Sequence, residues 1–210
     1  LINRLGFNND GATAIATRLA QTLPVGRTHP IPLGFNIGKS KVTPLEEAID
    51  DYVESCEQLF PFADYLVVNV SSPNTPDLRK LQEADRLQRL LEALTMTNRR
   101  LAVQRHTYLK PVLVKIAPDL TDEEVVTIAQ VAHTTGVAGL IATNTTISRP
   151  PTLRSSIHED GGLSGRPVAQ RALEVLRLLF RTVDGKLPLI GVGGIFSAAD
   201  AYARMRAGAS

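Results

Sequence analysis

The chain has 210 residues, 43% hydrophobic and 21% charged, a balance that excludes an intrinsically disordered polypeptide. Its 23 basic and 21 acidic residues leave a net charge of +2, too small to argue for nucleic-acid binding by bulk electrostatics. One cysteine excludes an internal disulfide and a cysteine-based metal centre, and no apolar run is long enough to span a membrane.

Short apolar runs alternate with amphipathic stretches along the whole sequence. The runs are Pro32–Ile37, Tyr65–Val70, Pro111–Ile116, Gly139–Ala142 and Leu187–Val192. They lack polar/apolar alternation, which suits strands buried on both faces of a parallel sheet. Residues 44–60 place Leu45, Ala48, Ile49, Tyr52, Val53, Cys56 and Phe60 on one helical stripe. Cys56 therefore reads as a core residue. Leu87, Leu90, Leu91 and Leu94 form the next stripe, and Val125, Ile128, Ala129 and Ala132 the one after. Thr121 is placed to cap that third helix, with Asp122 and Glu123 in its first turn. Val168, Ala172, Val175, Leu176 and Leu179 define a fourth helix. Ala198, Ala201, Tyr202 and Met205 define a fifth, with Ser197 as its cap.

Strand–helix repetition predicts a parallel α/β fold, either an open doubly wound sheet or a (β/α)₈ barrel. The five units average about 39 residues, so eight would need roughly 310, within the range of a barrel with insertions. The expectation is about five units of a TIM barrel, as an internal piece of a longer chain. No signal-peptide pattern is visible after Leu1.

In either architecture ligands sit at the carboxyl ends of the strands. Those ends are polar here. They carry Asn36, Gly38 and Lys39; then Asn69 to Pro76; Lys115 to Asp119; Thr143 to Thr146; and Gly191 to Gly194. Amides, hydroxyls and an ammonium with few carboxylates suit a neutral or anionic heterocycle plus a phosphate, and not a divalent metal. Gly191-Val192-Gly193-Gly194 is not a dinucleotide fingerprint, because Phe196 stands where the last glycine would be. It reads as a phosphate cradle or as a tight turn before the helix. The run Gly161–Pro167 is a flexible loop by its own composition and does not fit the hydrolase elbow. Ser72 is a candidate nucleophile or base, with no histidine near it in sequence. The sequons at Asn69 and Asn144 fall at buried strand ends and read as chance. The four histidines (His29, His106, His133 and His158) read as surface or loop residues.

The motifs Asn3–Asn9, Gly34–Lys39, Asn69–Pro76, Lys115–Asp119, Ala142–Thr146, Gly162–Gly165 and Gly191–Ile195 occur in this order. Together they resemble the dihydroorotate dehydrogenase family, and specifically its quinone-dependent class 2. That resemblance implies a single FMN-binding (β/α)₈ barrel domain that oxidises dihydroorotate to orotate in pyrimidine synthesis and passes electrons to a quinone. It implies Ser72 as the catalytic base. It puts Asn3, Arg4, Leu5, Gly6, Phe7, Asn74, Asn144 and Thr145 on the substrate side. Asn69 would touch both substrate and flavin, while Asn36, Lys115, Thr143, Gly165 and Gly194 would bind FMN. It implies no metal and no nucleic acid. Peripheral membrane contact would come from N-terminal helices outside these residues, on the cytoplasmic face of a bacterial inner membrane or at the mitochondrial inner membrane. The first barrel strands and the last would also lie outside them. The alternatives are a related FMN barrel acting on another pyrimidine, or an inactive barrel fragment. One departure from the family pattern is Asp77, where a glycine is common after Thr-Pro.

Overall fold

A computed structural model describes residues 1–23, 31–150 and 159–210. Five strands form one parallel sheet: β2 (Gly34–Ile37), β3 (Tyr65–Asn69), β4 (Val112–Ile116), β5 (Gly139–Ala142) and β7 (Leu189–Gly191), in the spatial order β2-β3-β4-β5-β7. Two short strands, β1 (Ile2–Asn3) and β6 (Gly162–Leu163), pair antiparallel beside it. The helices are α1 (Ala12–Thr22), α2 (Ala48–Leu59), α3 (Ala84–Gln104), α4 (Asp122–Thr135), α5 (Arg166–Val183) and α6 (Ala198–Arg206). Among the described residues no helix is long and apolar enough to cross a membrane.

The sheet has two unlike faces. Leu66 and Val68 of β3, Val112 and Val114 of β4, and Leu140 of β5 join the main core with the apolar sides of α2 to α5. Full burial of each such side chain is worth about 1.5–3 kcal/mol. On the other face Val67, Leu113 and Ile141 form a separate apolar cluster with Tyr65, Ala138 and Val192. Side chains alternate along a strand, so the inner positions of β3 run Tyr65, Val67, Asn69, and those of β4 run Leu113, Lys115. Residue pairing sets Asn69 beside Lys115, and Lys115 beside Ile141.

The helical stripes of α3, α4 and α5 are buried as the periodicity predicts, and Cys56 is 1% exposed. Thr121 makes a reciprocal capping box with Glu124, and the Ser197 hydroxyl accepts from the Asp200 N–H at 3.2 Å. Four expectations need correction. The run Gly161–Pro167 contains β6, a buried strand rather than a flexible loop, because Ile2 and Asn3 supply its ladder partners. β2 and β7 are not buried on both faces, since each is an edge of the sheet with an open inner side. The stretch 44–60 is a 3₁₀ turn, Leu45–Glu47, followed by α2 and a second turn, Phe60–Phe62. In α6 the predicted stripe turns outward, with Tyr202 and Met205 more than half exposed. Arg204 takes the inner side instead, donating to the carbonyls of Ala169 and Gly193 at 2.9 and 2.6 Å. His106 and His133 are exposed, while His29 and His158 lie outside the described residues.

Candidate active site

A cavity of about 210 Å³ opens at the carboxyl ends of β3, β4 and β5. It is lined by Asn3, Leu5, Phe7, Asn36, Asn69, Ser72, Pro73, Asn74, Lys115, Asn144 and Thr145. All but Pro73 are among the positions expected from the motifs. Arg4, Gly6, Thr143, Gly165 and Gly194 do not line it. Arg4 instead points to Glu159, 3.0 Å away, in an exposed ion pair. Gly6 borders a neighbouring cavity with Phe7 and Asn36. A Cβ at Gly6 would stand 2.8 Å from the Asn74 carbonyl oxygen, so only glycine lets the two segments approach this closely. Thr143 is buried at the end of β5.

The strand ends are held by side chains. The buried Tyr52 hydroxyl on α2 donates to the Asn69 carbonyl at 2.8 Å, and burial raises its pKa well above the ordinary phenol value. The Ser71 N–H and hydroxyl both donate to Asn69 Oδ1, at 3.1 and 2.7 Å. Both contacts use the oxygen end of that amide and leave Nδ2 as its group for the cavity. Asn144 Nδ2 donates to Ser71 Oγ at 3.0 Å, joining the ends of β3 and β5. Asn74 Nδ2 donates to the carbonyls of Asn3 and Leu5, at 3.1 and 3.0 Å, and fastens the N-terminal segment over the cavity. Ser72 is 7% exposed, and its Oγ accepts the Asn74 N–H at 3.3 Å.

Lys115 is the cation of the site. Among the described residues its Nζ has no carboxylate within ion-pair distance. Burial holds its ammonium below the ordinary lysine value. A half-buried charge without a partner calls for an anionic or electron-rich ligand.

Gly165 and Gly194 meet at a second place. Gly194 has φ 66° and Gly165 φ 82°, and a Cβ on Gly194 would stand 2.4 Å from the Ala169 Cβ and 3.0 Å from the Gly165 carbonyl oxygen. A side chain at Gly194 would collide with the first turn of α5, so this loop can approach the helix start only as glycine. Gly165 is also the residue just before α5, so the Gly194 loop lies beside a helix start.

The model of the family described as dihydroorotate dehydrogenase matches residues 1–210. The chain belongs to that family. A relative named dihydroorotate dehydrogenase (quinone), from Chloroflexus aurantiacus, is 53% identical over 216 residues, covering 100% of this chain and 58% of the relative. A relative of the same name from Streptomyces coelicolor is 54% identical over 214 residues, covering 100% of this chain and 56% of the relative. The solved structure of DHODH from Eimeria tenella in complex with ferulenol superposes with a TM-score of 0.89 at 44% identity, covering 99% of this chain and 60% of that one. The chain thus spans a little over half the length of the relatives it matches. The dihydroorotate dehydrogenase fold is a TIM barrel, and the five parallel strands with their helices form an arc of it.

This family is flavin-dependent, and the residues present fit a flavin. Among the described residues Lys115 has no carboxylate partner and Asn69 Nδ2 no acceptor; with the inner position of Asn36 they suit an electron-rich ring, while the Gly165–Gly194 contact suits a phosphate. Tyr52, Ser71, Arg79 and Asp119 also organise the strand ends but were given no role in the sequence reading. Ser71 and Asp119 lie inside the strand-end motifs Asn69–Pro76 and Lys115–Asp119, which was the signal available for them.

Proposed function

We propose that the protein containing this chain oxidises dihydroorotate to orotate, with FMN as hydride acceptor and a quinone as final electron acceptor, in pyrimidine synthesis. One observation carries this reading: a buried serine and an ammonium, Ser72 and Lys115, line one cavity with Asn69, Asn74 and Asn144. The names of the relatives favour it over a related barrel acting on another pyrimidine.

In this reading Asn3, Arg4, Leu5, Gly6 and Phe7 belong to the substrate side with Asn74, Asn144 and Thr145. Asn69 reaches both rings, and Asn36, Lys115, Thr143, Gly165 and Gly194 hold the cofactor. Bound there, FMN supplies the two-electron sink that receives hydride from C6 of the substrate. Ser72 Oγ takes the proton from C5, and the electron pair of that C–H bond becomes the C5=C6 double bond. A neutral serine is a weak base. The Asn74 N–H at its Oγ stabilises negative charge there as the hydroxyl proton passes to solvent. Lys115 would hold positive charge against the electron-rich ring of the bound cofactor.

Residues 1–210 would then be part of a single FMN-binding barrel domain. Because a quinone is lipid-soluble, the whole protein would work in peripheral contact with a membrane, on the cytoplasmic face of the inner membrane in a bacterium or at the inner membrane of a mitochondrion.

The test is the visible spectrum of the full-length protein before and after anaerobic addition of dihydroorotate. Bleaching of an oxidised-flavin band, lost in Ser72→Ala, is the expected result. Flavin that binds but is not bleached would point to another substrate, and a folded protein without flavin would refute the reading.

A further inference from the structure

We propose that Arg79 is a positioning residue that sets the Ser72 loop against the Asn144–Thr145 loop, through a brace completed by Asp119. The proposal rests on the cavity being the site of dihydroorotate oxidation.

Arg79 lies in the 3₁₀ turn Leu78–Gln82 and does not line the cavity. Its guanidinium donates to three loops at once. Nε donates to the Ser71 carbonyl at 3.0 Å, Nη1 to Asp119 Oδ2 at 2.8 Å, and Nη2 to the Thr145 carbonyl at 3.0 Å. These loops follow β3, β4 and β5. Asp119 extends the brace: its carboxylate accepts from the Thr146 hydroxyl and from the N–H groups of Ile147 and Ser148, at 3.3 and 3.4 Å. The Arg79 and Asp119 side chains are only 20% and 17% exposed, so the pair is partly withdrawn from solvent screening.

The geometry acts on the reacting groups through the backbone. The carbonyl of Ser71 belongs to the peptide that carries the Ser72 nitrogen. Because that unit is planar, holding its oxygen holds the Ser72 nitrogen and Cα in place, and so the point from which the Ser72 side chain starts. The Thr145 carbonyl lies one residue beyond Asn144, whose side chain already reaches Ser71. Arg79 therefore fixes the spacing between the expected base and the expected substrate amide from behind. A guanidinium can do this because its donors lie in one rigid plane and point in set directions. An ammonium has no such plane.

The test uses the full-length protein with Arg79→Gln, Arg79→Lys and Asp119→Asn. Six quantities are measured: flavin content, melting temperature, the anaerobic rate of flavin reduction by dihydroorotate, its isotope effect with deuterium at C5, the rate of reoxidation by a quinone, and orotate affinity from the flavin spectrum. The expected result for Arg79→Gln is parent-like flavin content and quinone reoxidation, a reduction rate lower by about 100-fold, and weaker orotate binding. The isotope effect from deuterium at C5 should grow, because proton removal becomes harder. Arg79→Lys should recover melting temperature but not rate, and Asp119→Asn should lose a smaller part of both rate and affinity. If Arg79→Gln does not accumulate as folded protein, Arg79→Lys decides by the same comparison. Parent-like rate and orotate affinity in the folded Arg79 variants, with melting temperature alone reduced, would overturn the proposal. A parent that dihydroorotate does not reduce removes the functional reading itself, and the brace falls with it. A reducible parent with unaffected variants removes only the brace.

Discussion

The side-chain amide of Asn74 donates to the carbonyl oxygen of Leu5 at 3.0 Å, tying the chain's first residues to the loop after β3. The same nitrogen reaches the Asn3 carbonyl at 3.1 Å. Asn74→Ala removes both bonds and should cost about 1–2 kcal/mol of stability. Asn74→Asp should be worse, because a carboxylate then faces two carbonyl oxygens. Melting temperature and orotate titration of the two variants check the order: parent, then alanine, then aspartate.

Gly162 of β6 packs against Thr145. A Cβ there would lie 2.0 Å from the Thr145 hydroxyl oxygen and 2.8 Å from its Cβ. Gly162→Ala should displace Thr145, costing about 1–3 kcal/mol and weakening orotate binding. Gly136, which follows α4, makes the control. It has φ 71° with no atom within 4 Å of an added Cβ, so Gly136→Ala should cost about 1 kcal/mol and leave orotate affinity unchanged.

Lys115 predicts a pH dependence. Burial lowers its pKa in the folded protein, so the unfolded chain holds this proton more tightly. The charged amine therefore destabilises the flavin-free fold at neutral pH. That penalty disappears as pH rises through the window between the lowered folded value and the ordinary one of about 10.4. Flavin-free Lys115→Met should melt above the parent at pH 7, with the gap closing in strongly alkaline buffer. The same substitution should weaken flavin binding. A gap that stays constant with pH would refute this account.

Cys56 sits in the core on α2, where burial pushes its thiol pKa up to about 12. Thiolate is the reactive form. A thiol reagent at pH 8 should leave the native protein untouched and label one equivalent only after denaturation.

Asp77 occupies left-handed backbone at φ 57°, a conformation that glycine adopts without strain. Its pairing with Lys80 at 2.9 Å is solvent-exposed and contributes little. Asp77→Gly should raise stability by about 0.5–1 kcal/mol, read from a denaturant midpoint, without moving Ser72 enough to change the rate.

The elements legible in the sequence were those with a strong period and a hydrophobic layer to face. β3, β4 and β5 showed as short unbroken apolar runs, and α3, α4 and α5 as regular leucine and valine stripes. α1 did not show, because Ala12–Thr22 buries no residue fully and has no side-chain cap. β1 and β6 are two residues each and find each other across most of the chain, a pairing no local pattern encodes. The site divides in the same way. Asn69, Ser72, Lys115 and Asn144 stand at strand ends, where position alone marks them. Tyr52, Arg79 and Asp119 act on those ends from a helix and from loops. Their residue types are ordinary there, and only the folded arrangement shows what they touch.

The alternation along β3 and β4 separates two kinds of change. Val68 and Val114 face the helices, while Asn69 and Lys115, one position further on, face the cavity. A substitution at 69 or 115 can alter ligand preference with little effect on the helical layer, and one at 68 or 114 can alter stability with little effect on preference. Effects at such positions should combine nearly independently despite their closeness in sequence. A single-residue insertion within either strand would exchange the two roles and abolish both at once.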